Sequence, residues 1–188
     1  MIWILIAAVV IVAAVPVAIY NRLVHLRNMS RESWRDVDTE LQRRYDLVPN
    51  LVSTVKGYAA HERATFEAVT AQRADAMAAP REPDEQATRE HALGQGVARL
   101  MAVAERYPEL RASEQFLSLQ RELADTENRI QVSRRIYNAN VRAYDTLVQS
   151  FPALIVARVS GFTTRSYFEL DPVVRGAGPP AVDLSDQM

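Results

Sequence analysis

The sequence predicts an all-α protein, a bundle of antiparallel helices behind one N-terminal transmembrane helix. Three observations predict it. No charged side chain occurs from Ile2 to Tyr20. Beyond Asn21 the apolar residues recur at the spacing of an amphipathic helix. No stretch of useful length alternates apolar and polar residues as a half-buried strand does.

The first element is the apolar run. A helix needs about 20 such residues to cross the hydrocarbon layer. Trp3 and Tyr20 stand at its two ends, where amphipathic rings favour the membrane interface. Pro16 is tolerated inside a membrane helix, with a bend. A cleaved signal peptide is the competing interpretation, with Val12 and Ala14 suited to a peptidase, but no basic residue precedes the apolar core. A buried soluble helix would show a polar face, and this run has none. Arg22, His25, Arg27, Arg31 and Arg35 follow at once. The positive-inside rule then predicts a single-pass cell-membrane protein with a cytoplasmic body, a periplasmic or extracellular body being the alternative. The lipid bilayer is the expected partner of residues 2–20.

Trp34, Val37, Leu41 and Val48 open the next stripe, and Leu51, Val52, Val55, Tyr58, Phe66 and Val69 continue it. Pro49 interrupts it. Inside a helix this proline would remove one hydrogen bond and crowd the carbonyl of Tyr45. With Asp46 as N-cap it would fall in a first turn, where its missing N–H is harmless. The sequence therefore favours two helices parting between Arg44 and Leu47, over one long helix reaching Ala79. Ala79-Pro80-Arg81-Glu82-Pro83-Asp84 is a loop. A third helix runs from about Glu85 to Tyr107, with Leu93, Val97, Leu100 and Val103 on its apolar face and Gly94 and Gly96 suited to a close crossing. Pro108 ends it. A fourth runs from about Ser113 to Gln149, lined by Phe116, Leu119, Leu123, Ile130, Tyr137, Tyr144 and Leu147, and Phe151-Pro152 stops it. Ala153–Val159 forms one more short helix. Short links between long amphipathic helices imply antiparallel neighbours. The chain thus divides into an anchor (1–21), a helical body (22–168) and a Pro/Gly-containing flexible tail (169–188) with Ala181-Val182-Asp183-Leu184 as a docking strip.

Composition narrows the function more than it names it. Hydrophobic residues are 48%, enough for a core, and a formal net charge of −1 lacks the basic excess of a nucleic-acid binder. The absence of cysteine removes disulfides, thiolate metal sites, cysteine nucleophiles and a lipid-modified N-terminal cysteine. His61-Glu62 begins like a zinc-protease motif, but Thr65 stands where the second histidine belongs. The Glu-x-x-His pairs of di-iron bundles are missing, since Arg22, Tyr58 and Thr88 precede His25, His61 and His91 at that distance. These histidines are expected to face solvent or be satisfied structurally. Neither a Gly-x-Ser-x-Gly elbow nor a phosphate loop occurs. No catalytic residue, cofactor or metal is expected. Arg43-Arg44 and Arg134-Arg135 are the densest basic spots, read as solvated helix faces beside Asp46 and Glu127 or as contacts for headgroups or an acidic partner. Tyr45, Tyr58, Tyr137 and Tyr144 are expected in or near the core.

Four stretches carry a family resemblance: Tyr20-Asn21-Arg22-Leu23-Val24-His25-Leu26-Arg27-Asn28; Arg43 to Val52 continuing through Thr54–Ala59 to His61-Glu62; Glu127-Asn128-Arg129-Ile130 with Arg134-Arg135 and Tyr137-Asn138; and Phe151-Pro152 with Gly161-Phe162 and Tyr167-Phe168-Glu169. In order and spacing they resemble the LemA family from about Tyr20 to Glu169. The resemblance implies a membrane-anchored antiparallel four-helix bundle of the bacterial cell envelope, with no established enzymatic activity. Arg43, Arg44, Asn50, Lys56, Asn128, Arg134, Arg135 and Asn138 sit in these stretches, although a bundle core does not need such side chains. They are the candidate surface for a protein partner; the competing account gives them helix-end and cross-helix hydrogen bonds. A scaffold or adaptor is the leading function, with an enzyme of unrecognised site or a bilayer-remodelling protein as alternatives.

Overall fold

The structure is a computed structural model that describes residues 1–78 and 82–169, without the side chains of 4–13. Every regular element is helical among the described residues: α1 (Ile2–Lys56), α2 (Arg63–Met77), α3 (Pro83–Glu105), α4 (Pro108–Arg111), α5 (Glu114–Gln149) and α6 (Ala153–Val159). The expected all-α class holds. Ala79, Pro80 and Arg81 of the expected loop, and the tail from 170 with its docking strip, lie outside the described residues.

The frame is the antiparallel pair α1 and α5. Buried residues recur three or four positions apart, with one step of seven on α5: Leu23, Leu26, Ser30, Ser33, Val37 and Leu41 on α1, and Phe116, Leu119, Leu123, Thr126, Ile130 and Tyr137 on α5. That seven-residue period keeps one seam of each helix facing the other over many turns. The register shows in cross-contacts. The Asn140 amide donates to the Ser33 hydroxyl at 3.1 Å, the Trp34 and Tyr137 rings lie 5.1 Å apart, and Arg44 pairs with Glu127 at 3.5 Å.

The helices α2 and α3 form an antiparallel hairpin over the half of this pair that ends at Lys56. Val69 of α2 and Leu93 and Leu100 of α3 join Leu41, Val48, Leu51 and Val55 of α1 in one core. Gly96 makes the hairpin close, because a Cβ there would stand 3.2 Å from the Val69 methyl and meet the Gln72 amide. Pro83 begins α3 with Asp84 and Glu85 in the first turn, where a missing N–H and negative charge suit a helix start. The other half of the pair has no such hairpin. There α6 and residues 160–168 cover it, and Leu23, Leu26, Tyr144, Val148, Ala157 and Phe162 form a second core.

The predicted break before Leu47 does not occur. Helix α1 continues through Pro49 and ends at Lys56. The chain turns at residues 57–62 instead, held by the Ala59 N–H on the Val55 carbonyl at 2.9 Å and the Glu62 N–H on the Ala59 carbonyl at 3.0 Å. Tyr58 is consequently 46% exposed, not a core residue. The physical reason for continuity lies in α2. Pro49 has no N–H to give the Tyr45 carbonyl, and the Arg73 side chain supplies the donor, its Nε lying 2.6 Å from that oxygen.

Among the described residues no helix is long and apolar enough to cross a membrane. The transmembrane helix expected at 2–20 falls in part on residues 4–13, whose side chains lie outside the described residues.

The Arg73–Tyr45 contact is testable by a double-mutant cycle. Arg73→Met in the natural chain should cost about 1–3 kcal/mol, because the orphan carbonyl loses its donor. A Pro49→Ala background restores the backbone N–H at that position, and there the same change should cost about 1 kcal/mol less. Denaturant unfolding followed by circular dichroism measures both; equal costs would mean that Arg73 acts elsewhere.

Candidate functional site

The first polar cluster forms where α1, α2 and α3 meet. Tyr45 projects from α1, and its hydroxyl donates to the Glu90 carboxylate of α3. Gln86, one turn before Glu90, donates its amide to the Tyr45 hydroxyl at 3.0 Å, to Glu90 Oε1 at 2.9 Å and to the Ala76 carbonyl of α2 at 3.0 Å. Arg44 closes the set, its guanidinium 3.5 Å from Glu90 and 3.5 Å from Glu127 of α5. Burial pushes the Tyr45 phenol far up, with the Glu90 charge adding to it. Burial likewise raises the Glu90 carboxyl, while Tyr45, Arg44 and Gln86 act against the rise.

Gly94 makes room for this arrangement. A Cβ at Gly94 would stand 2.9 Å from the Arg44 guanidinium. A cleft of ≈ 330 Å³ opens beside it, lined among others by Arg44, Glu90, Gly94, Glu127 and Arg134. Glu90 has the raised proton affinity of a general acid. Its oxygens are nevertheless occupied by Tyr45, Gln86 and Arg44. The cluster fastens helices together.

A second cleft, of ≈ 430 Å³, opens at the other end of the bundle. Its wall is set by the end of α6. Gly161 adopts a φ of 70°, the left-handed conformation that glycine takes without strain. The Phe162 N–H then reaches the Ala157 carbonyl at 2.9 Å and the Gly161 N–H reaches that of Arg158 at 3.3 Å, the paired bonds of a Schellman stop. Phe162 turns back onto α1, its ring 5.6 Å from Tyr20 and beneath the Arg27 guanidinium at 4.9 Å. Residues 163–166 run along the cleft. The Tyr137 hydroxyl holds the Ser166 carbonyl at 2.8 Å, and burial pushes that phenol up to about 12. The Asp145 carboxylate accepts from the Arg165 N–H at 3.1 Å.

The family model of the LemA family matches residues 33–183. The chain belongs to the LemA family. Similar relatives are the magnetosome protein MamQ of Magnetospirillum gryphiswaldense and the magnetosome proteins MamQ 1 and MamQ 2 of Paramagnetospirillum magneticum. Each is 24% identical over an alignment covering 81% of this chain and 65% of the relative. The chain thus spans less than two thirds of the length of these curated relatives.

In this LemA-family bundle the eight residues of the expected partner surface separate into two groups. Arg43, Asn50, Lys56, Asn128, Arg134 and Arg135 are exposed. Arg44 is not; it is 8% exposed and held by carboxylates of two other helices. Asn138 is also taken up internally, its Oδ1 accepting the Phe168 N–H at 2.9 Å and its amide donating to the Phe168 carbonyl at 3.3 Å. His25, His61 and His91 are exposed, and among the described residues no group of three or more metal-binding side chains gathers. Sequence inspection missed Gln86 and Glu90. The signal was present: both fall in the three-and-four spacing that continues through Leu93, Val97 and Leu100, so two polar residues occupy core positions.

Glu90 makes the LemA-family fold sensitive to pH in a defined direction. Its folded proton affinity exceeds the ordinary one, for which the pKa is 4.5, so the folded chain binds more protons. Stability from this position is fully present below that value and falls as pH rises through the raised one. Unfolding free energies measured between pH 4 and 8 should fall more steeply for the natural chain than for Glu90→Gln. Parallel pH profiles would remove Glu90 as the titrating group.

Proposed function

We propose that the chain is a membrane-anchored helical adaptor of the bacterial envelope, with residues 2–20 crossing the bilayer once and the bundle recruiting a protein partner. The observation that carries this reading is the gathering of apolar surface at one end. Phe151, Ile155 and Val159 are 81%, 55% and 85% exposed and recur every four residues, along α6 and the turn that leads into it. That helix packs beside Leu23, and Val15, Val17 and Tyr20, within the about two turns of α1 before Leu23, are exposed as well. Water disfavours such a cluster, whereas an interface accepts it. The unbroken α1 supports the reading too, because it leads from the apolar run directly into the bundle core. The magnetosome relatives are compatible with a membrane setting. The arginines that follow Tyr20 favour a cytoplasmic body.

The exposed residues Arg43, Asn50, Lys56, Asn128, Arg134 and Arg135 form the proposed partner surface. Arg43 lies about 35 Å along the α1 axis from Tyr20 at 1.5 Å per residue, well clear of headgroups. Binding without turnover fits a bundle whose Tyr45, Gln86, Glu90 and Arg44 side chains are taken up by cross-helix contacts.

Two measurements test these parts separately. The chain should remain in the membrane pellet after carbonate extraction. The chain has no cysteine, so Val159→Cys allows a single environment-sensitive label. That label should be quenched by spin-labelled lipid in phosphatidylcholine/phosphatidylglycerol vesicles, and a label at Leu117 should not. Release by carbonate would end the spanning helix, and an aqueous Val159 label would end the docking of α6.

For the partner surface, the triple change Arg43→Ala, Asn128→Ala and Arg135→Ala should shift stability by no more than about 0.5 kcal/mol per site, as exposed substitutions do. It should also abolish recovery of an envelope protein by crosslinking in cells. Undiminished recovery would place the surface elsewhere.

A further inference from the structure

The cleft behind Phe162 contains more positive charge than the bundle uses. Arg27 and Arg31 reach it from α1, and Arg165 reaches it from the segment after α6. Thr163, Thr164 and Ser166 add hydroxyl groups to the same wall. Among the described residues Glu82 is the one carboxylate in the lining, and its Oε2 lies 3.5 Å from the Ser166 hydroxyl. Asp145 stands nearby and takes a backbone N–H of Arg165. Among the described residues, none of the three guanidinium groups forms an ion pair; the pairs present involve other arginines. Arg27 Nε is buried without a hydrogen-bond partner. All three cations act on the Tyr144 phenol, opposing the rise that burial causes there.

We propose that this cleft binds a phosphate group, carried by a lipid headgroup or by a soluble phosphomonoester. Three guanidinium forks set against Glu82 in the lining and the nearby Asp145 leave a local cationic excess that suits an anion. Guanidinium groups recognise phosphate oxygens in pairs, and the neighbouring hydroxyls can donate to the remaining oxygens. The volume of ≈ 430 Å³ exceeds a bare phosphate and admits the group to which it is esterified. Arg27 follows Tyr20 by about two helical turns, roughly 10 Å. A headgroup at the interface can therefore reach the cleft beside Phe162. This lipid source rests on the membrane-anchored reading above, whereas the soluble source does not.

The cleft carries its own reporter, because Trp34 lines it and the only other tryptophan is Trp3. In Trp3→Phe full-length chain held in neutral detergent micelles, glycerol 3-phosphate should bind with a measurable heat and change Trp34 fluorescence. Loss of each arginine should weaken binding about tenfold, the effect of one charge-assisted hydrogen bond. Arg31 is exposed, so Arg31→Gln is the variant least able to disturb folding. The exposed pair Arg99→Gln and Arg121→Gln, outside the cleft and outside the proposed partner surface, should bind as the natural chain does. Binding in micelles that Arg31→Gln weakens assigns the site to phosphomonoesters. A response only in nanodiscs containing phosphatidic acid, absent in phosphatidylcholine alone and weakened by Arg31→Gln, assigns it to headgroups. No heat and no fluorescence change in either setting, or equal binding by Arg31→Gln and the natural chain, overturns the proposal. A chain that fails to enter nanodiscs yet binds glycerol 3-phosphate in micelles removes the anchor and keeps the cleft.

Discussion

Pro49 leaves the Tyr45 carbonyl without its helical donor, and Arg73 of α2 supplies one. The same Tyr45 sends its phenol toward Glu90 and Gln86 of α3 and the Ala76 carbonyl of α2. One residue of α1 thus fixes the hairpin through both backbone and side chain. Without a donor for that carbonyl, the continuous α1 would carry an orphan polar group next to its core. The continuous α1 in turn sets the register with α5. The position of every other element follows from that pair: the hairpin on one half, and α6 with residues 160–168 on the other.

The polar contacts at this junction are better understood as specificity than as stability. Burying a carboxylate and a guanidinium has a desolvation cost that their attraction only partly offsets. Glu90 illustrates the balance, since burial raises its proton affinity despite three favourable neighbours. What the set does enforce is geometry. Gln86 has acceptors on Tyr45, Ala76 and Glu90, and a slip of α3 by one turn would strand all of them. Gly94 and Gly96 serve the same end, one admitting the Arg44 guanidinium and the other admitting α2.

The two ends of the molecule are chemically different. At the hairpin end, cationic and polar side chains on α1 and α5 are exposed around the cleft of Arg44, Glu90 and Arg134. At the α6 end, apolar side chains are exposed beside a cleft in which, among the described residues, Arg27, Arg31 and Arg165 form no ion pair. Such polarity suits a protein that meets a lipid surface with one end and another macromolecule with the opposite face. It arises because the Schellman stop at Gly161 folds the chain back instead of letting α6 continue outward.

The sequence by itself determined the helices α3, α5 and α6 and the antiparallel order, because a three-and-four spacing is a local property and Phe151-Pro152 and Pro108 mark real stops. The LemA kinship was legible for the same reason, since it resides in contiguous stretches. Three things were decided only by the tertiary structure. Helix α1 passes through Pro49 and turns at Gly57 because the missing hydrogen bond is supplied from Arg73, a residue on another helix. Arg44 is buried and Asn138 half-buried because their partners, Glu90 and Glu127 for one and Phe168 for the other, are distant in the chain. The arginine cleft exists because α6 brings Arg165 back to Arg27 and Arg31. Periodicity tells which side of a helix is buried. It cannot tell which distant side chain will satisfy a buried charge or an orphan carbonyl, because that depends on how the helices pack.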